Sequence, residues 1–246
     1  MHRQTDRDPY RGRDPRQIPA YTLFDASRYL HIPKQTIRNW VYGYPYATRR
    51  SGKRKTTPLI DAESWAQHDF SFFNLVELHV LSALRREHQV QMPKIRRAIE
   101  YLKAELGEPR PLINQDMETE GTNIFVRKMG QLINVSEHGQ FAMKEMLHAH
   151  LKRIDRDPQG VALRLYPLTR GVREANAEAV AQQPRLITID PAFAFGRPAI
   201  RGTRVPTLEI YERFNAGESP EDLALDFGRE LAEIHEAIRC ENNATV

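Results

Sequence analysis

The sequence predicts a mainly α-helical protein of the α+β class, and three patterns along the chain support this prediction. Two short amphipathic segments separated by a tight turn lie near the N terminus, and a basic stretch with a hairpin pattern follows them. Longer helical patterns and short alternating segments fill the middle. We therefore expect a winged helix-turn-helix, a small α/β middle element, and a C-terminal three-helix, helix-turn-helix-like domain that begins with a short strand.

Composition and charge restrict the classes of protein that fit. No apolar run approaches the about 20 residues that span a bilayer, and residues 1–19 predict a disordered basic leader rather than a secretory signal. The single cysteine, Cys240, excludes an intrachain disulfide and a cysteine-based zinc site, and favours a cytoplasmic location. Residues 1–57 hold 13 Lys/Arg against 4 Asp/Glu, whereas residues 171–246 hold 8 against 13. The basic end indicates a polyanionic partner.

The first two helices are predicted from capping and turn signals. Thr22 can cap the first helix, and Asp25 stands at the third helical position of a capping box. The turn HIP follows, and Pro33 is expected at the first position of the second helix. Two short helices joined in this way predict a helix-turn-helix, in which the second helix is the recognition helix.

The recognition helix is predicted to have one apolar and one polar face. Ile37, Trp40 and Val41 fall on one side, which can be buried. The opposite side has the amide and guanidinium groups that contact base edges in a major groove. The residues of this helix that we expect to bind DNA are Lys34, Gln35, Thr36, Arg38, Asn39 and Tyr42.

Each polar side chain of the recognition helix suits a particular contact. Arg38 suits guanine, and Asn39 or Gln35 suits adenine, because these groups make bidentate hydrogen bonds to those bases. Lys34 and Thr36 suit phosphates. The alternative is an ordinary solvated helix face.

Residues 44–60 predict a β-hairpin wing with a cationic tip, RRSGKRK, in which Gly52 can form the turn. Such a wing would bind phosphates by displacing condensed counterions, while the helix contacts bases. The alternative is a solvated cluster of charges. After the wing, Asp61 can cap a short helix that contains Trp65. The wing residues expected to bind DNA are Arg49, Arg50, Lys53, Arg54 and Lys55.

Two long helices and a small α/β element are predicted for the middle of the chain. Ser71 can cap a helix whose wide apolar stripe indicates burial in a core or contact with a partner chain. Pro93 opens the next helix and Gly107 ends it. In residues 108–170, the segments NIFVRK, QLINVS and GVALRLYPL predict strands, and GQFAMKEMLHAHLKRI predicts a helix. Residues 171–184 predict a linker with some helical tendency.

The C-terminal segment, residues 185–246, predicts a strand at LITID and three short helices. Thr207 and Ser219 are the expected caps of the first two helices, and Gly217 is the expected stop. The acidic surface makes DNA a poor partner for this domain. The turn-rich segment GRPAIRGTR either cradles a phosphate or forms a tight turn whose arginines pair with local carboxylates or a second subunit. The residues expected at a partner or dimer contact are Arg197, Arg201, Thr203 and Arg204.

Enzyme signatures are missing from the sequence. His138, His148 and His150 lie near Glu137 and Glu145, but their spacing matches no metal-binding motif. No nucleophile elbow and no catalytic cysteine context occurs. We therefore expect no enzyme activity, no metal and no cofactor.

Two segments resemble known families. YTLFDASRYLHIPKQTIRNW resembles the start of a MerR-type winged helix-turn-helix, and ITIDPAFAFGRPAIRGTRVPTLEIYERFNAGESPEDLALDF resembles the domain of unknown function 433. The latter family usually has Pro-x-Leu before its last helix, where this chain has GRELAEIHEAI. The combined layout is similar to VapB-type antitoxins. The domains expected on this basis are residues 20–107 for the MerR-like part with its supporting helices, 108–170, 171–184 and 185–246.

The resemblance to VapB-type antitoxins implies a bacterial antitoxin that binds operator DNA, represses its own operon and neutralises a PIN-domain ribonuclease toxin. A homodimer is expected, because one small DNA-binding domain (here called the head) binds DNA weakly, whereas two such domains can occupy the two half-sites of a palindromic operator. Two alternatives stay open. One is a ligand-responsive MerR-like regulator that senses its ligand through residues 108–170, and the other is a metal-dependent nuclease.

Overall fold

The structure, a computed structural model, describes residues 12–48, 52–62, 70–88, 92–133, 137–170 and 176–242. Within these residues the helices are α1 (Leu23–Leu30), α2 (Lys34–Tyr42), α3 (Phe72–His88), α4 (Met92–Leu106), α5 (Glu120–Ile133), α6 (Glu137–Leu151), α7 (Ala177–Ala181), α8 (Thr207–Asn215), α9 (Pro220–Phe227) and α10 (Leu231–Asn242). The strands are β1 (Pro45–Thr48), β2 (Gly52–Lys55), β3 (Ile154–Arg156), β4 (Ala162–Leu165), β5 (Ile187–Thr188) and β6 (Ala199–Ile200). They form three antiparallel pairs: β1 with β2, β3 with β4, and β5 with β6. The predicted mainly helical α+β class is confirmed.

The helix-turn-helix forms as its local signals predict. The Thr22 hydroxyl accepts a hydrogen bond from the Asp25 amide at 3.1 Å, and the Asp25 carboxylate accepts one from the Thr22 amide at 3.0 Å, which completes the capping box. His31 ends α1 in the left-handed region, with φ 52°. Pro33 is the N-cap of α2, so the helix begins at Lys34, one residue later than expected.

The predicted wing is a hairpin in which Pro45 pairs with Lys55 and Thr48 pairs with Gly52. Its base requires a glycine, because Gly43 has φ 70° and a Cβ there would meet the Thr56 carbonyl oxygen at 2.0 Å. The predicted helix around Trp65 lies outside the described residues.

Helix α3 lies at the centre of the larger of two hydrophobic cores. From Ser71 to Leu84 every residue is buried, so of the two alternatives for the wide apolar stripe the structure shows burial in a core. The Ser71 hydroxyl accepts a hydrogen bond from the Asn74 amide at 3.3 Å, as expected for a cap. The core extends from Tyr21 to Ile189, so residues of the middle element share it with the helix-turn-helix.

The middle element is more helical than the sequence predicts. NIFVRK lies within α5, as do the first three residues of QLINVS, so the prediction of strands there is wrong. The reason is packing: α5 lies between α4 and α6 and buries Ile124, Phe125 and Val126 in succession. A short apolar run does not distinguish a strand from a helix that is buried over a wide face. The predicted third strand is confirmed as β4, and the predicted helix as α6.

Part of the predicted leader is ordered. Pro15–Gln17 form a turn of 3₁₀-helix, and the Arg16 guanidinium contacts the Asp157 carboxylate at 2.5 Å and the Ala162 carbonyl at 3.2 Å. The expectation of disorder is therefore wrong for these residues, because hydrogen bonds and an ion pair can order a charged segment that has no apolar stripe. Residues 1–11 lie outside the described residues.

A buried arginine joins the middle element to the C-terminal segment. The Arg153 side chain is almost fully buried and donates to four carbonyl oxygens at 2.8 to 3.1 Å. Two of these belong to Tyr166 and Pro167, and two to Gln183 and Pro184. Because carbonyl dipoles replace the lost hydration, the charge can be buried without a carboxylate. Desolvation by burial lowers the pKa of Arg153 to about 10.

The C-terminal helices α8, α9 and α10 enclose a second, smaller core around Ile210, Leu223 and Ile234. The Ser219 hydroxyl accepts a hydrogen bond from the Asp222 amide at 3.1 Å and caps α9, as predicted. Thr207 is not a cap, contrary to the prediction. It is the first residue of α8, and its hydroxyl bonds the Pro198 carbonyl and the Glu241 carboxylate instead of a free helix amide. Among the described residues, no helix is both long and apolar enough to cross a membrane.

Candidate nucleic-acid interface

The polar face of α2 is open to solvent, whereas its apolar face is buried. Ile37, Trp40 and Val41 have at most 1% of their surface exposed and fix the rotation of the helix. Lys34, Gln35 and Arg38 are exposed, and Thr36, Asn39 and Tyr42 are partly exposed. All six predicted residues of this helix therefore remain accessible in the single chain.

The amide and ammonium groups on this face are ordered by local contacts. The Gln35 amide donates to the Asn39 carbonyl oxygen at 2.9 Å, one helical turn away. The Lys34 ammonium lies 4.6 Å from the ring centroid of Phe24, a residue of α1 that is half exposed. These contacts limit the side-chain rotamers that binding would otherwise have to fix.

Hydrogen bonds connect the base of the wing to α2. The Trp40 carbonyl, in the last turn of α2, accepts from the Leu59 amide at 2.7 Å. Tyr44 and Thr56 close the base of the hairpin with two hydrogen bonds of 3.0 Å. The Arg96 guanidinium of α4 donates to the Thr57 carbonyl. These hydrogen bonds connect the base of the hairpin to α2 and α4.

The structure describes the predicted wing residues only in part. Lys53, Arg54 and Lys55 lie on β2, and the Lys55 side chain is exposed. Arg49 and Arg50 lie outside the described residues.

A buried polar group lies beneath the stem of the wing. The Asn74 amide donates to the Asp61 carbonyl at 3.0 Å and to the Glu77 carboxylate at 3.2 Å. Glu77 is buried in α3, and no cation of the described residues lies within ion-pair distance of it. Desolvation by burial raises the pKa of Glu77 to about 7, although the charges of Arg110 and Lys103 and the hydrogen bond from Asn74 act in the opposite direction.

The predicted partner-contact residues lie on the loop between β5 and α8. Arg197, Arg201 and Arg204 are exposed, and no carboxylate of the described residues lies within ion-pair distance of their side chains. Within the described residues these arginines therefore have no local carboxylate partner, and their contact with a partner or a second subunit stays a prediction. Thr203 is partly buried and stabilises the turn, because its hydroxyl donates to the Ile200 carbonyl at 2.8 Å and accepts from the Val205 amide at 3.1 Å.

An ion pair between α1 and α10 was missed by the sequence analysis. The Arg28 guanidinium contacts the Glu241 carboxylate at 2.9 Å, and both side chains are largely buried. Together with Tyr21 and Phe195 they line a cleft of about 490 Å³ between the helix-turn-helix and the C-terminal domain. Neither residue stands in a motif, so only long-range contact information could have identified the pair.

The histidines named in the sequence analysis do not assemble into a metal site. His150 is buried, and its Nδ1 lies 3.0 Å from the Met146 carbonyl, whereas His138 is exposed. In the described part of the chain, no group of three or more His, Cys, Asp or Glu could hold a metal ion.

Two family models match separate parts of the chain. Residues 19–99 match the model described as "Putative DNA-binding HTH domain". Residues 187–239 match the model described as "Protein of unknown function (DUF433)". The first match includes α1, α2 and the wing, and the second includes α8, α9 and most of α10.

Similar proteins and a solved structure match nearly the whole chain. A protein of Mycobacterium tuberculosis named "Putative antitoxin VapB45" is 27% identical over 90% of this chain and 93% of its own length. "Uncharacterized protein Rv2308" of the same organism is 26% identical over 89% of this chain and 88% of its own length. The crystal structure of Rv2018, also from M. tuberculosis, superposes with a TM-score of 0.65, at 22% identity over 90% of this chain and 98% of that one. This chain thus joins an N-terminal helix-turn-helix region to a C-terminal domain of unknown function 433 and resembles the VapB-type antitoxins.

Proposed function

We propose that this protein is a dimeric, DNA-binding antitoxin that represses its own operon and neutralises a PIN-domain ribonuclease. The observation that supports it most strongly is the accessible polar face of α2 beside a hairpin attached by hydrogen bonds. The match of residues 19–99 to a DNA-binding helix-turn-helix model and the similarity to an antitoxin support the same function.

In the proposed complex α2 enters the major groove. Arg38 contacts guanine, and Asn39 or Gln35 contacts adenine, because their donors and acceptors match those base edges. Lys34 and Thr36, at the start of the helix, contact phosphates. Tyr42 contacts the backbone near the wing. The buried side formed by Trp40 and its neighbours keeps this geometry fixed.

The wing residues supply affinity rather than sequence preference. Each phosphate neutralised releases condensed counterions, and this release makes binding strongly salt-dependent. Two copies of the head bind two half-sites of a palindrome, and binding there blocks transcription of the operon. The cationic residues that act in this way are Arg49, Arg50, Lys53, Arg54 and Lys55.

The contribution of the wing can be measured through the salt dependence of DNA binding. Replacing Lys53, Arg54 and Lys55 together by alanine should make the negative slope of log affinity against log salt shallower by about three units. The same variant should weaken binding to all DNA duplexes to a similar extent. A control variant, Arg127→Ala with Lys152→Ala, removes exposed cations near the middle element and should keep the wild-type slope. An unchanged slope in the wing variant would contradict the proposed wing.

The antitoxin part of the proposal is tested with the product of the adjacent gene. Co-expression should give a stable complex with a small PIN-like nuclease, relieve the growth arrest that the nuclease causes, and repress a reporter placed behind the operon's own promoter. A chain that binds DNA but neither binds nor neutralises such a nuclease would be a regulator of another kind.

One observation favours the second candidate, a ligand-responsive regulator. A cleft of about 310 Å³ lies where Glu108, Arg110 and Ile113 of the middle element meet Phe73 of α3. Ligand clefts are often found at such junctions. A small-molecule screen would favour this candidate over the first if it finds a compound that changes operator affinity. Ile113→Trp, which fills the cleft, should abolish the effect of that compound.

A further inference from the structure

The loop between β5 and α8 presents an aromatic side chain to solvent in an unusual backbone conformation. Phe195 is 85% exposed, and Phe193 is 40% exposed. Ala194 and Phe195 have φ of 48° and 55°, in the left-handed region that residues other than glycine rarely occupy. Hydrogen bonds from Gly196 to Phe193 and from Arg197 to Ala194, of 2.8 and 3.1 Å, maintain this conformation. Backbone of this kind concentrates at binding sites.

Around this aromatic group the loop is basic. Arg197, Arg201 and Arg204 are exposed and have no carboxylate of the described residues within ion-pair distance. We name the surface formed by Phe193, Phe195 and these three arginines the basic loop. It combines apolar area with unneutralised positive charge, so its partner should offer apolar area with negative charge.

The same domain has a surface of that kind at its other end. Leu225 of α9 is 83% exposed, and Leu231, at the start of α10, is 37% exposed. The exposed carboxylate of Glu221 lies one helical turn before Leu225 on α9, and the exposed Glu230 directly precedes Leu231. Neither glutamate forms an ion pair with a cation of the described residues. We name the surface formed by these four residues the acidic end.

The two surfaces lie at opposite ends of the antiparallel helices α8 and α10. The basic loop lies at the start of α8, where the Thr207 amide donates to the Pro198 carbonyl at 2.9 Å. The acidic end lies beyond the last turn of α8, where Arg213 pairs with Glu218 and Asp226. The nine residues of α8 separate them by about 13 Å, at 1.5 Å per residue.

We infer that the partner of the basic loop is the acidic end of a second copy of this chain. Two domains placed side by side in opposite directions bring each basic loop against the other copy's acidic end. A two-fold axis relates the two contacts, so the assembly closes as a dimer. The inference rests on the dimer proposed above and adds the surface that forms it. This dimer would also hold the two helix-turn-helix heads for the two half-sites.

Charge reversal provides a test in which repulsion and rescue are both measured. In Arg201→Glu with Arg204→Glu, each basic loop becomes acidic and repels the partner's acidic end. In Glu221→Arg with Glu230→Arg, each acidic end repels the partner's unchanged basic loop. Sedimentation equilibrium should show that each variant alone has a dimer dissociation constant raised at least about 100-fold. Mixing the two variants should restore dimers, because both contacts of the mixed dimer then have opposite charges.

An apolar substitution provides a second test. Phe195→Ala should weaken the dimer, and Phe141→Ala, which removes an exposed phenylalanine of α6, should leave it unchanged. The inference is overturned if the charge-reversed variants stay dimeric, if the mixture stays monomeric, or if the wild-type chain is a monomer that associates only with the nuclease. Binding of half-site DNA, measured on the same samples, reports on the helix-turn-helix separately, so failure of the dimer surface and failure of DNA binding are distinguishable.

Discussion

The two ends of the molecule use similar local architecture and present opposite charges. Near the N terminus, α1 and α2 are joined by a tight turn, and α2 exposes lysine, arginine and amide groups. Near the C terminus, α8 and α9 are joined by a four-residue connection, and α9 exposes Glu221, Asp222 and Asp226. Only the first suits a polyanion. Two short helices and a turn therefore define a scaffold, and the exposed side chains determine what it can bind.

The two regions also differ in how they accommodate a buried carboxylate. Glu236 of α10 is buried, but it contacts Arg170 and Arg239 and accepts a hydrogen bond from Thr169. Glu77 of α3 is buried with one amide donor and no ion pair in the described residues. The C-terminal half thus neutralises its buried acid with direct ion pairs, whereas Glu77 has no direct ion pair among the described residues and is affected by Arg110 and Lys103 only through longer-range charge interactions.

The largest expected effect comes from removing the buried side chain that supports α2. Trp40 is 1% exposed, so Trp40→Ala should lower the free energy of unfolding by about 3–5 kcal/mol and abolish operator binding. Leu223→Ala, in the second core, should lower stability by about 2–5 kcal/mol and preserve the contact of each head with half-site DNA. Denaturant unfolding and half-site DNA binding, measured for both variants, show whether the C-terminal core affects DNA binding by the N-terminal region. Loss of half-site binding in both variants would show that they are not independent.

The next effect is a pH dependence that originates in Glu77. Its folded pKa, about 7, lies above its ordinary value of 4.5, so the folded state binds the proton more tightly than the unfolded state between these values. The contribution of Glu77 to stability should therefore be fully present below pH 4.5 and fall by about 3 kcal/mol as the pH rises through 7. Unfolding at several pH values should show this loss in the wild type and not in Glu77→Gln.

A suitable control for Glu77 is Glu212→Gln, because Glu212 is exposed on α8. This variant should keep the wild-type pH profile. If Glu77→Gln and the wild type have parallel profiles between pH 4.5 and 7, Glu77 is not the group that titrates in this range.

The smallest effect is expected at the helix caps, where the two regions should behave alike. Thr22→Ala removes the cap of α1, and Ser219→Ala removes the cap of α9. Each should lower the free energy of unfolding by about 1 kcal/mol, because a cap satisfies a local amide and is insensitive to the charge of its domain. If the losses of the two variants differ by more than about 1 kcal/mol, one of the two side chains contributes more than a cap and also supports tertiary packing.

Local signals in the sequence predicted the helix-turn-helix and the hairpin, because these elements are determined by neighbouring residues. The capping box at Thr22, the cap at Ser219 and the buried face of α2 follow from spacing alone. The α5 segment was predicted as strands, because its burial depends on α4 and α6, which the local pattern does not reveal. Thr207 was predicted as a cap for the same reason, since its hydroxyl bonds a glutamate 34 residues away.

In the candidate site, too, features set by neighbouring residues could be predicted and features set by distant contacts could not. The accessible residues of α2 could be named from helical periodicity. The Arg28–Glu241 pair and the exposed Phe195 could not, because one depends on a contact between distant segments and the other on a rare backbone conformation.

The central claim is that the exposed face of α2 contacts base edges, and Arg38→Ala tests it most directly. Fluorescence anisotropy with the DNA upstream of the chain's own gene should show a loss of about 1–3 kcal/mol in operator affinity, roughly 5- to 150-fold. Binding to unrelated duplexes should change far less. The control Arg127→Ala removes an exposed arginine of α5 and should leave operator affinity unchanged. Wild-type affinity and sequence preference in Arg38→Ala would contradict the account.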